Sequence, residues 1–169
     1  EIKNIYIADG HHRCASSALL NKHNSTELNK YFMSFLINEN LLNIINFNRL
    51  VKGLNNLSVN SFLEKLSKKF NVQESHECEP SRNNEIGMYI DKKCYILKPK
   101  KNNLTDDCIN NLSTSILSSN ILNPILNIID AKSNNISFES GDIPLSELKR
   151  KIDNKEYDIA FILRKISIK

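Results

Sequence analysis

The chain has 169 residues, enough for one domain with a real core or two small units. Hydrophobic residues make up 40% and charged residues 25%, the balance of a globular protein rather than a disordered or fibrous one. The net charge of +4 is dispersed over basic clusters at Lys68-Lys69, Lys92-Lys93, Lys98 to Lys101 and Lys149 to Lys151, with acids among them. That argues against a nucleic-acid partner, whose interface would be denser in cations and interleaved with aromatics.

No apolar run reaches membrane length, and no apolar signal core opens the chain, so no membrane partner is expected. The four cysteines (Cys14, Cys78, Cys94, Cys108) form no C-x-x-C pair, which reads as free thiols in a cytoplasmic protein. His76-Glu77-Cys78 offers two zinc-type ligands without a second close pair. It is read as a surface loop, and no metal site is assigned to side chains. The absence of a starting Met, and strand-like stretches at both ends, read as one globular fragment of a longer protein.

Residues 2–7 read as a short buried strand and Asp9-Gly10 as a turn. Residues 11–22 read as a helix whose Ala15, Ala18, Leu19 and Leu20 would pack on a sheet. Residues 25–28 are a polar linker or first turn, and 31–37 (YFMSFLI) read as a central strand covered on both faces. Together these predict a β-α-β unit with the glycine turn at its mouth, where ligands of such units sit. Residues 41–51 form a second apolar run ending in Asn48-Arg49, and the motif-bearing unit is taken as 1–57.

The remainder, 58–169, reads as α+β. Residues 61–70 form an amphipathic helix capped by Ser58, Asn60 or Ser61, and 72–84 a polar loop. Residues 85–90 and 94–98 form a hairpin around Asp91-Lys92-Lys93. A helix is expected over 104–122, broken at Asn123-Pro124, with a further helical segment from Pro124 to about 129. A strand at 136–139, a helix over 144–153 and a closing strand at 159–163 complete the chain. The predicted fold class is α+β (mixed α/β), with the hairpin and further helices packed on a mixed sheet.

The candidate chemistry lies at Asp9-Gly10-His11-His12-Arg13. A strand, a glycine turn and a helix N-terminus aim backbone N–H groups and the positive end of the helix dipole at one point. Gly10 lets the backbone approach an anion, and His11, His12 and Arg13 can neutralise its charge. Phosphate is the preferred ligand, with Arg49 returning as an auxiliary clamp. Asp9 is either the helix cap or a base or Mg²⁺ contact, and His12 can serve in acid–base work. A metal held by Asp9, His11 and His12 is disfavoured, because adjacent helical side chains diverge by about 100°. The plain structural alternative pairs Arg13 with Asp9 and leaves His11 as a loop residue.

Ala8-Asp9-Gly10-His11-His12-Arg13 resembles the hallmark of an uncharacterised bacterial and archaeal family, domain of unknown function 1015. Phe47 to Val51 resembles the family's second motif, Ile86 to Ile90 its hairpin, and 117–130 (LSSNILNPILNIID) its segment ending in Ile-x-Asp. Cys14 stands where an aromatic residue is usual, Ser140-Gly141 where Gly-Gly is, and Ser113 where an Asp is common. More loosely, the strand, G-x-H-R turn and Ala-bearing helix are similar to the ParB and sulfiredoxin superfamily. There the turn holds nucleotide phosphates, and some members phosphorylate free serine. His11 replaces the reactive Cys of sulfiredoxin's G-C-H-R, which argues against sulfinic-acid reduction.

What the resemblance implies is a nucleotide di- or triphosphate with Mg²⁺, and phosphoryl transfer to a small metabolite hydroxyl. Asp9 and His12 would be catalytic, and Gly10, His11, His12, Arg13 and Arg49 would bind phosphate. The alternatives are a ParB-like nucleotide-gated module without turnover, and a phosphate-ester hydrolase.

Overall fold

The computed structural model describes residues 4–105, 107–130 and 133–165. The chain divides into two compact units, Glu1–Leu42 and Asn43–Lys169.

The second unit is built on a six-stranded sheet. Its strands are β1 (Phe47–Val51), β2 (Phe70–Ser75), β3 (Ile86–Ile90), β4 (Lys93–Pro99), β5 (Ile136–Ser140) and β6 (Ile159–Leu163). Their order is β2-β4-β3-β6-β1-β5, and every pairing is antiparallel. The α+β class stands; the sheet is antiparallel rather than mixed. The β3–β4 hairpin closes on Asp91 and Lys92 at φ 49° and 62°, the doubly left-handed turn whose twist matches paired strands.

Both faces of the sheet are covered. On one, helix α2 (Val59–Lys69) and the helix α3 (Ser113–Leu117) bury Phe62, Leu66, Ile116 and Leu117 against Val51, Met88, Leu97 and Phe161. On the other, α4 (Leu145–Asp153) buries Leu148 and Ile152 against Leu50, Tyr89 and Ile162. This explains why β3 and β6 are buried at every position: a central strand with two covered faces has no polar side to show.

Local signals set the helix ends. Ser58 accepts the Ser61 N–H at 3.2 Å and caps α2. Pro144 precedes α4, where its fixed φ suits helix entry and no donor is lost. The helix expected over 104–122 is shorter than its apolar spacing suggests. It widens to a π-turn over Ser118–Leu122, where Asn123 N–H reaches Ser118 C=O at 3.1 Å. Pro124 offers no donor to continue the α-ladder and its ring crowds the preceding turn, and the helical segment expected from Pro124 to about 129 does not form.

Two other expectations change. Residues 70–75, largely assigned to a polar loop, form the edge strand β2, paired with β4. Only one face of an edge strand meets the core, so Phe70 and Val72 are enough apolar signal. Cys78 and Cys94 are joined in a disulfide and are not free thiols; Cys14 and Cys108 are free. Their sequence separation of 16 gives no pairing signal; the hairpin and the loop after β2 bring them together. The pairing removes one observation on which a cytoplasmic location rests. No helix among the described residues is long and apolar enough to cross a membrane.

In the first unit, helix α1 (His11–His23) forms as its sequence predicts. The flanking strands do not. Residues 4–8 and 31–38 carry no strand, and residues 1–3 of the first expected strand lie outside the described residues. None of the described residues up to Leu42 is buried, including every residue of α1. A strand is completed by another strand's N–H and C=O groups. Two short candidates alone fall below the three or more that make a stable sheet.

Candidate functional site

The turn at the start of α1 has the backbone its sequence calls for. Gly10 occupies the N-cap position at φ 80° and ψ 24°, a left-handed conformation that side chains disfavour. The site is crowded as well as twisted, since a Cβ on Gly10 would lie 3.3 Å from the Arg13 guanidinium. Arg13 therefore folds back over the glycine.

Asp9 is not the helix cap. Its Oδ1 accepts the Gly10 N–H at 2.6 Å, one residue too early to serve the first turn, and no side chain caps α1. The first intrahelical bond is Cys14 N–H to Gly10 C=O at 2.9 Å. The N–H groups of His11, His12 and Arg13 thus have no acceptor among the described residues, and no acidic side chain sits in the first turn. The other carboxylate oxygen of Asp9 lies 3.9 Å from Arg13 Nη2, with both side chains largely exposed. A pair that long and wet is worth little, so Arg13 is held loosely. The arrangement can receive an anion: three donors and a dipole end point one way, with a guanidinium beside them.

His11 and His12 are both exposed at the helix start. Among the described residues no three His, Cys, Asp or Glu side chains are grouped to hold a metal. Asp9 is the carboxylate at this turn, and its side chain is exposed.

Arg49 lies in the second unit, on β1. Strand alternation sends Asn48 and Arg49 to opposite faces of the sheet. Arg49 stacks 4.2 Å over the Phe138 ring, and its Nη1 donates to Phe47 C=O at 2.5 Å. Burial holds its guanidinium below the usual value. Asn48 is nearly buried, and its Oδ1 accepts the Leu163 N–H at 3.1 Å. The two neighbours read together in sequence have separate structural employment.

Sequence reasoning did not single out Asn46 or the 164–165 pair, and noted Gly141 only as part of a Ser-Gly in place of Gly-Gly. A Cβ on Gly141 would stand 1.7 Å from Asn46 Oδ1, so the glycine makes room for that amide. The only sequence hint was a pair of asparagines, Asn46 and Asn48, within an apolar run.

A solved free serine kinase variant in complex with ADP resembles the chain with a TM-score of 0.49 and 19% identity, over 96% of this chain and 58% of that one. Free serine kinase in complex with AMP gives 0.48 and 17%, over 95% and 57%. A conserved hypothetical protein from Pyrococcus furiosus gives 0.46 and 17%, over 95% and 59%. The chain spans under three fifths of each of these proteins, and likeness at this level assigns no activity. No curated protein matches. A profile of the family described as "Protein of unknown function (DUF1015)" matches residues 1–130. With that match covering most of its 169 residues, the chain belongs to the DUF1015 family.

Proposed function

We propose that the turn Asp9 to Arg13 binds the phosphates of a nucleotide, and that the protein transfers a phosphoryl group to the hydroxyl of a small metabolite. The observation that carries this reading is the uncapped start of α1 behind left-handed Gly10, with three N–H groups unclaimed and Arg13 folded over the glycine. Phosphoryl transfer asks little covalent chemistry of a protein. It asks for positioning and for donors aimed at equatorial oxygens. The N–H groups of His11, His12 and Arg13 supply the donors, and the Arg13 guanidinium supplies the charge.

Asp9 is the general base for the acceptor hydroxyl. Its Oδ2, loosely paired with Arg13, is released when Arg13 turns to the phosphate. His12, exposed one residue from the guanidinium, donates to the same anion. Mg²⁺ bound with the nucleotide would neutralise phosphate charge. This reading does not call on Arg49.

The test is isothermal titration of ATP, ADP and CTP with Mg²⁺ into the full-length protein and its Arg13→Ala variant, with circular dichroism as the folding control. Loss of one charge-assisted contact should cost about 2 kcal/mol, roughly thirtyfold in affinity. Absence of binding to the folded wild type overturns the reading. Binding without product, in the presence of hydroxyl acceptors, leaves a nucleotide-gated module. Turnover with water alone makes the protein a hydrolase.

A further inference from the structure

A cleft of about 320 Å³ opens in the second unit beside the start of α4, at the small end of the range for ligand sites. Asn48 lines it. This residue is only 4% exposed, and its Oδ1 accepts the Leu163 N–H at 3.1 Å and Asn46 Nδ2 at 3.3 Å. A backbone donor fixes which end of the amide is oxygen. The Nδ2 is thereby turned away from Leu163; it donates to no group among the described residues and, since none of their buried side-chain polar atoms lacks a partner, it is open to solvent.

The amide cannot readily swivel to find a partner. Asn46 Nδ2 also donates to Leu163 C=O at 2.5 Å, and the Asn46 amide fills the space that a Gly141 Cβ would take. A donor held in one orientation and open to solvent is available to an acceptor that enters the cleft and displaces water.

The rim carries Arg164, Lys165 and Glu79, one net positive charge. Arg164 forms no ion pair among the described residues, and Lys165 Nζ donates to Asn43 Oδ1. Ile143, Leu148 and Ile162 supply an apolar wall. The Glu79 side follows directly on Cys78, whose disulfide to Cys94 anchors it to the sheet.

We propose that this cleft binds a small monocarboxylate with a short branched apolar body. The carboxylate accepts from Asn48 Nδ2 and faces Arg164 and Lys165, while the body lies against Ile143, Leu148 and Ile162. One net charge matches one carboxylate, and Glu79 opposes a dianion such as a phosphate monoester.

The probes are 4-methylpentanoate, the neutral 4-methylpentanamide and isopentyl phosphate, titrated into the full chain and followed by amide NMR shifts. The carboxylate should bind at least about tenfold more tightly than the other two. Asn48→Asp keeps an acceptor for the Leu163 N–H but replaces the donor with a like charge, and should weaken the carboxylate at least about tenfold. Arg164→Gln alters an exposed side chain that can be changed without disturbing the core, so it tests the site even where Asn48→Asp fails to fold; about threefold weakening is expected. The proposal is overturned by no shifts at about 10 mM carboxylate, by equal binding of the amide, by tighter binding of the phosphate, or by an Arg164→Gln variant of unchanged affinity.

Discussion

Two apolar stretches meet different fates. Residues 159–163 (IAFIL) form a central strand buried at every position, between β3 and β1. Residues 31–37 (YFMSFLI) are as apolar, yet form no strand, and Met33 is 99% and Phe35 86% exposed. The difference is not composition. β6 has a paired strand on each edge and a helix layer on each face, whereas the first unit offers residues 31–37 neither within itself. An apolar run measures how much a segment gains from being covered; pairing and covering are supplied by the rest of the chain.

This comparison can be broken most forcefully at Gly87 in β3. A Cβ there would stand 1.7 Å from the Cys78 carbonyl oxygen, a backbone atom that cannot swing aside. Gly87→Ala should cost about 4 kcal/mol or more, seen as loss of the cooperative transition in urea. A matched pair sharpens the contrast between the units. Phe62→Ala empties a fully buried position and should cost about 3–5 kcal/mol. Phe35→Ala should stay within about 0.5 kcal/mol, because its ring is already in water. A large effect at Phe35 would show that the first unit is covered in solution.

Next in size is the disulfide. It closes a loop of about 15 residues, so replacing Cys78 and Cys94 by Ser should cost about 3 kcal/mol in chemical denaturation. Thiol titration of the denatured, unreduced protein should find Cys14 and Cys108 only.

The smallest destabilisation expected is at Glu85. Burial alone would raise its carboxyl, but the Ser81 hydroxyl at 2.9 Å and the N–H groups of Ser81 and Arg82, each at 3.1 Å, hold it below the usual value. A lowered value in the folded state means stability that is present above the unfolded carboxyl's value of about 4.3 and is lost as pH falls through the folded one. Glu85→Gln should therefore lower stability near neutral pH and flatten the acid limb below about pH 4.3, read from melting temperature against pH.

The turn and helix that carry the candidate site were legible in sequence. Asp9-Gly10 read as a turn into a helix over 11–22, and α1 begins at His11 behind Gly10. What was not legible was the fate of Asp9. An Asp before a helix reads as its cap, but Gly10 takes the cap position and Asp9 is drawn to the Gly10 N–H instead. Asn48-Arg49 read as one polar interruption. The strand's two-residue alternation divides it, sending one side chain to a cleft and the other onto Phe138.

By itself, the sequence determined the features that are settled within about four residues. These are the Ser58 cap of α2, the Asp91-Lys92 turn, the entry of α4 after Pro144, the halt of the helical segment at Pro124, and the left-handed Gly10. Caps, fixed φ angles and missing donors act on immediate neighbours, so their signals are local. Only the tertiary structure decided that β2 is an edge strand, that Cys78 meets Cys94, that residues 31–37 stay unpaired within their unit, and that the Asn48 amide accepts the Leu163 N–H. Each of these depends on groups far away in the chain, whose arrival the local residues permit but do not dictate.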